Sequence, residues 1–248
     1  MKKIVIILSY LLFISCSNSD NETTTTDQVP FEIFKFTVAE DYDNFNDLFS
    51  QEYFLNENGK VYSETFTNII NPQHNYVSTF IYNDEGKVIS EHKNGQLFQY
   101  IKWNGNFAEL FNNQNQKISD FTFENNNLIQ YNFVFSDGTI ETYNYTYDVN
   151  NNVIAIARQN EIYVEYLNYD TTLLNPMNTI KSIGILRLYY NPLFKNFFET
   201  EKAYPYIGDD FSIPLTFYNY HKVLDINNRI TSLTDDKTSI YKTKFEYD

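Results

Sequence analysis

One thiol, three imidazoles and thirty-two carboxylates are the reactive groups this 248-residue chain could use. The thiol, Cys16, follows Lys2, Lys3, an apolar run over residues 4–14 and the small Ser15. A basic start, a short apolar core and a small residue at the cut site are the anatomy of an export signal. The histidines, His74, His92 and His221, stand too far apart to share a metal at any usual ligand spacing. Asp209-Asp210 is the most suggestive carboxylate pair, since glycoside hydrolysis needs two acids flanking the bond; an exposed turn explains the pair equally well. Trp103 precedes Asn104-Gly105, where an indole can stack on a sugar ring or pack on a neighbouring strand. Asp148-x-Asn150-x-Asn152 begins like a calcium loop. Val153 then stands where that loop needs Gly, and Gln159 where it needs a bidentate Glu. A turn is the better reading. Phosphate-cradling glycine loops, Gly-x-Ser-x-Gly and His-Glu-x-x-His do not occur in the sequence. The sequence therefore implies no cofactor.

The apolar run is about 11 residues, too short to span a hydrocarbon core of roughly 30 Å as a helix. Leu11-Leu12-Phe13-Ile14-Ser15-Cys16 resembles the lipobox of bacterial lipoproteins, and Asp20 and Glu22 beyond it resemble the acidic stretch of Bacteroidetes lipoproteins. The resemblance implies removal of residues 1–15, acylation of Cys16 by palmitate-type chains, and a bacterial outer-membrane location on either the cell-surface or the periplasmic side. Residues 16–29 then form a lipidated tether, and residues 30–248 a single β-rich domain. The lipid bilayer is the partner that Cys16 would engage.

Losing Lys2 and Lys3 but no acid takes the formal charge from −14 to −16. That balance argues against nucleic acid, which rewards clustered Lys and Arg. With Cys16 acylated no disulfide can form, so stability rests on a core to which 22 Tyr and 22 Phe contribute.

The elements that must position these groups are strands. Period-two alternation puts Tyr131, Phe133 and Phe135 on one face, then Tyr143, Tyr145 and Tyr147, then Ile162, Val164 and Tyr166. Asn94-Gly95, Asn104-Gly105 and Asp137-Gly138 supply turn chemistry. A longer motif recurs: Asn56-Glu57-Asn58-Gly59-Lys60-Val61 matches Asn83-Asp84-Glu85-Gly86-Lys87-Val88, with looser copies at residues 124–129, 148–155 and 225–232. The expected turn has an Asx side chain bonding the backbone ahead of it and a Gly or Asn in the left-handed position. Phe80-Ile81-Tyr82-Asn83-Asp84-Glu85-Gly86 and Tyr145-Thr146-Tyr147-Asp148 resemble the tyrosine-aspartate (RHS-like) repeat.

The expected fold is mainly β: an antiparallel meander of repeated hairpins, as a single curved sheet in preference to an open barrel or sandwich. Near residues 171–216 the repeat breaks at Pro176, Pro192, Pro205 and Pro214. Short helices are expected over residues 178–188 and 193–198, in an insertion that caps one face or end of the sheet. The expected role is binding or structural, with a protein or glycan partner, and it leans away from catalysis. The alternatives are an accessory or hydrolase of polysaccharide utilisation acting through carboxylates, and an inhibitor or immunity protein facing a basic partner.

Overall fold

The computed structural model describes residues 32–39, 47–188, 194–204, 216–235 and 242–247. Cys16, Asp209 and Asp210, with the export signal and tether, lie outside the described residues. Within them are sixteen strands: β1 (Glu32–Ala39), β2 (Asp47–Leu55), β3 (Val61–Asn68), β4 (Tyr76–Tyr82), β5 (Val88–Lys93), β6 (Gln96–Asn104), β7 (Phe107–Asn112), β8 (Lys117–Glu124), β9 (Asn127–Val134), β10 (Ile140–Tyr147), β11 (Val153–Arg158), β12 (Glu161–Leu174), β13 (Asn196–Ala203), β14 (Thr216–Leu224), β15 (Ile230–Asp235) and β16 (Lys242–Tyr247). Each pairs antiparallel with its sequence neighbours, and β1 also pairs with β16. The meander is as expected. The single curved sheet is corrected: the sheet closes into a barrel, which removes the edges a cap would have protected.

The closing seam is held from inside by rings. Phe34 on β1 is fully buried, with Tyr53 of β2 at 6.3 Å, Phe245 of β16 at 6.1 Å and Tyr247 at 5.5 Å between centroids. On the opposite face of the same strands Lys35 bridges Glu52 (3.5 Å) and Glu246 (3.7 Å). Farther round, Ala108, Leu110 and Phe121 face in, while Lys117 pairs outside with Glu109 (3.0 Å) and Asp120 (2.8 Å). Alternation thus places the apolar face inward and an ionic, mixed face outward.

The recurring motif forms the turns at one end of the barrel. Asn56 Oδ1 accepts from the Asn58 and Lys60 amides, and Asp148 Oδ1 from those of Asn150 and Asn152. Asp225 Oδ1 does the same with Asn227 and Arg229. The left-handed position falls to Gly59 (φ 66°) and Gly86 (φ 76°), and elsewhere to Asn151 and Asn228. With its carboxylate so engaged, Asp148 is a turn residue. Where an aromatic residue precedes the Asx, as Tyr82 precedes Asn83 and Tyr147 precedes Asp148, it adds a contact to the repeat. Tyr82, Tyr147 and Tyr247 hydroxyls donate to the carbonyls of Val61, Leu128 and Ile230 at 2.6, 2.8 and 2.9 Å. Trp103 Nε1 donates to the Val88 carbonyl at 2.8 Å. Each ring therefore latches a strand end to the start of the strand after an earlier turn. Asn94-Gly95 is a two-residue turn with both φ positive. The Asn104-Gly105 expectation shifts by one residue, to Gly105 and Asn106, since Asn104 stays in β6.

Sixteen strands enclose more space than their own side chains fill. The break in the repeat supplies the filling. Asn175 N donates to the Lys195 carbonyl, pinching the connection from β12 to β13 at its neck, and Asn175 Oδ1 caps the amide of Met177. The 3-10 segment Pro176–Leu186 then enters the lumen, where Met177, Ile180, Ile183, Ile185 and Leu186 join one core cluster with inward residues of β1 to β9 and of β12, β13, β15 and β16. The short helix expected over residues 178–188 is thus present in 3-10 form, but it is a plug inside the barrel. The helix expected over residues 193–198 is corrected: Asn196–Ala203 is a strand, paired on both sides with β12 and β14.

Candidate functional site

The plug carries one cation into the core. Arg187, just past the 3-10 segment, stacks its guanidinium 5.5 Å from the Phe80 ring and is 6% exposed. Its Nη2 reaches Glu64 Oε2 at 2.6 Å and Glu91 Oε1 at 2.8 Å, and its Nε donates to Glu64 Oε2 at 3.1 Å. Glu64 also accepts from Gln51 Nε2 (2.7 Å) and the Tyr76 hydroxyl (3.1 Å). Glu91 accepts from Ser78 Oγ (2.7 Å) and Gln99 Nε2 (2.5 Å). Burial opposes ionisation of Glu91, but Arg187 and these donors outweigh it and hold the carboxyl below its ordinary range. Both carboxylates are at most 1% exposed. A group so enclosed and so fully bonded has no free face for a substrate, and its consequence is mechanical: β3 and β5 grip the plug. A second grip is Ser182, whose Oγ accepts from the Val61 amide at 3.0 Å.

The plug does not fill the whole lumen. A cavity of about 670 Å³ lies between Ile185, Leu186 and Leu188 on the plug side and strands β6 to β14. Its wall is aromatic, with Tyr131, Tyr143, Tyr145, Tyr163, Tyr166 and Tyr220 as the tyrosines. Cross-strand pairing orders part of this wall. Phe121, Tyr131 and Tyr143 stack at 5.3 and 5.6 Å, and Tyr163 meets Tyr143 edge-on at 6.2 Å. Such ring pairs add roughly 0.5–1.5 kcal/mol each beyond the area they bury, so the wall is preorganised. Burial pushes the Tyr145 and Tyr166 hydroxyls well above the ordinary phenol range. Glu201 on β13 is the one carboxylate among the lining residues. Its Oε2 accepts from the Tyr220 hydroxyl at 3.1 Å, yet burial still raises its pKa.

A separate cavity of about 590 Å³ lies at the turn end of the barrel, lined by Lys87, Trp103, Lys181 and Lys195 and by asparagines 126, 127, 151 and 178. Trp103 is half-buried there, packed on Phe123 at 5.5 Å and under the Lys87 ammonium at 4.9 Å. Of the two behaviours weighed for it from sequence, packing on neighbouring strands is the one these contacts display. Asp209 and Asp210 lie outside the described residues.

Sequence reasoning found the tyrosine faces but missed Glu201, Glu64, Glu91 and Arg187. For Arg187 a signal existed. It is one of three arginines in the chain and stands inside Ile183-Gly184-Ile185-Leu186-Arg187-Leu188, where a lone cation needs a buried acid. Glu201 carries no such signal, because Glu199-Thr200-Glu201 reads as an exposed alternation.

No protein-family model matches the chain, and no curated protein matches it. Among solved structures, a porin-like protein from Bacteroides uniformis aligns over 88% of this chain and 98% of its own, at 12% identity and a TM-score of 0.43. A porin-like protein from Bacteroides vulgatus aligns over 90% of this chain and 99% of its own, at 9% identity and a TM-score of 0.35. A TcdB2-TccC3 toxin structure aligns over 80% of this chain but 12% of its own, at 13% identity and a TM-score of 0.25.

Proposed function

We propose that this chain is a non-catalytic, lipid-anchored binding protein of the bacterial outer membrane whose barrel lumen holds a small, largely apolar molecule. The observation that carries the reading is the 670 Å³ cavity with its ordered aromatic wall. Its size falls in the usual range for ligand pockets, about 300–1,000 Å³, and an apolar lining with few placed polar groups is their usual character.

The anchor in this reading is Cys16 and not the barrel. A barrel that crosses a bilayer turns an apolar band about 25 Å tall toward lipid. Here the ionic ladders of Lys35, Glu52 and Glu246 and of Glu109, Lys117 and Asp120 stand on the outer face, while the apolar face packs inward. Attachment then depends on acyl chains, of which two or more are needed for stable anchoring. Cys16→Ser is expected to abolish incorporation of radiolabelled palmitate and to move the protein from the membrane to the soluble fraction; a wild-type protein that is soluble and unlabelled contradicts the anchor. The turn-end cavity, with Trp103 beside three lysines, favours a glycan bearing acidic groups as a further contact.

The ligand reading is tested with the neutral fluorophore N-phenyl-1-naphthylamine. Saturable binding with one site per chain is expected, and Ile156→Trp, which fills the cavity from β11, is expected to remove it with the unfolding midpoint retained. Unsaturable binding, or binding unchanged by Ile156→Trp, refutes it.

A further inference from the structure

We propose that the lumenal cavity takes an organic cation, an amine or quaternary ammonium on a compact apolar body, with its charge seated against Glu201. The inference rests on the reading of that cavity as a ligand chamber. It starts from a contrast between the buried acids of this barrel and the partly buried Glu201. Glu64 and Glu91 share Arg187, Glu141 is bound by Arg158, and Asp120 by Lys117. Each is paired with a cation the chain itself supplies. Glu201 is not: its bond from Tyr220 is a neutral one, and among the described residues no Lys, Arg or His pairs with it.

The chamber is built around that carboxyl. Register places Glu201 directly across from Tyr166 on β12 and Tyr218 on β14, while the Tyr220 hydroxyl holds one of its oxygens. Apart from tyrosines, Glu201 is the only ionisable residue among the described residues of the cavity wall. The nearby Tyr143 hydroxyl donates to Glu141, whose charge Arg158 already balances. A cation entering here exchanges water for ring faces, which attract it through their quadrupoles, and for one carboxylate. Burial raises the carboxyl's pKa, as expected of an enclosed acid with no cation beside it among the described residues. A neutral guest of the same shape gains the apolar contacts alone.

The test is displacement of N-phenyl-1-naphthylamine by benzyltrimethylammonium and by its uncharged isostere, neopentylbenzene. The cation is expected to displace the probe at a concentration about tenfold or more below that of the isostere, the equivalent of about 1.4 kcal/mol. Glu201→Gln is expected to erase that preference and still bind the probe, whereas Glu201→Asp, which keeps the charge, retains part of the preference. Equal displacement by both compounds in the wild type overturns the cation class and leaves the ligand chamber standing. A preference that survives Glu201→Gln also overturns it. Loss of probe binding in the wild type overturns the chamber and this inference together.

Discussion

Arg187→Ala is expected to lower the unfolding free energy by about 3–5 kcal/mol, the usual cost of removing one partner from a buried ion pair. The reason is what remains. Glu64 and Glu91 are at most 1% exposed and share the same guanidinium nitrogen at 2.6 and 2.8 Å, so its loss leaves two like charges enclosed together. For a chain of this length the melting midpoint falls on the order of 10 °C. The pH dependence also changes sign. In the wild type the Glu91 pKa is lowered from 4.5, so its contribution is present above that value and is lost as acid protonates it. Without Arg187 the folded-state pKa rises above the unfolded one, so stability is fullest at low pH and is lost as pH climbs through the raised value. Adding Glu64→Gln and Glu91→Gln to Arg187→Met removes the stranded charges and is expected to restore much of the loss. Urea unfolding of the variants at pH 4 and pH 7 checks both the size and the sign.

Ile183→Ala is expected to cost about 2–5 kcal/mol, as truncation of a well-packed core side chain does. Ile183 is 0% exposed although it belongs to a connection between strands, and this inverts the usual tolerance of loops. Ile140, on the outer face of β10 at 55% exposure, provides the contrast. Its truncation is expected to shift stability by no more than about 0.5 kcal/mol. Equal effects at the two sites would mean that the 3-10 segment is not the core of the barrel. Chemical denaturation with matched slopes decides between them.

Local chemistry was legible in the sequence, and long-range pairing was not. Alternation in Tyr143-Asn144-Tyr145-Thr146-Tyr147 identifies a strand and its buried face, because a strand's side-chain period is local. The Asx turns at Asn56, Asp148 and Asp225 are equally local, since each side chain bonds amides two and four residues ahead. Closure is different. Nothing in Phe245-Glu246-Tyr247 indicates that its partner is Phe34-Lys35-Phe36, some two hundred residues earlier, so an open sheet and a closed barrel fit one pattern. The plug was legible as a break in the repeat but not as a lumenal element. Its direction depends on Arg187 meeting Glu64 and Glu91, contacts that span 123 and 96 residues. Glu201 was hidden for the same reason: its environment is assembled from β12, β14 and the plug, and not from its own neighbours in sequence.

The account turns on the lumen being a ligand chamber beside a plug. Diffraction from a crystal soaked in 1-bromonaphthalene, a neutral guest that tests the chamber independently of charge, locates the bromine directly by its anomalous signal. The account predicts a peak inside the barrel, bounded by Tyr145, Tyr166 and Leu188. A chamber without a peak, or bromine found only on the outer face, would contradict it.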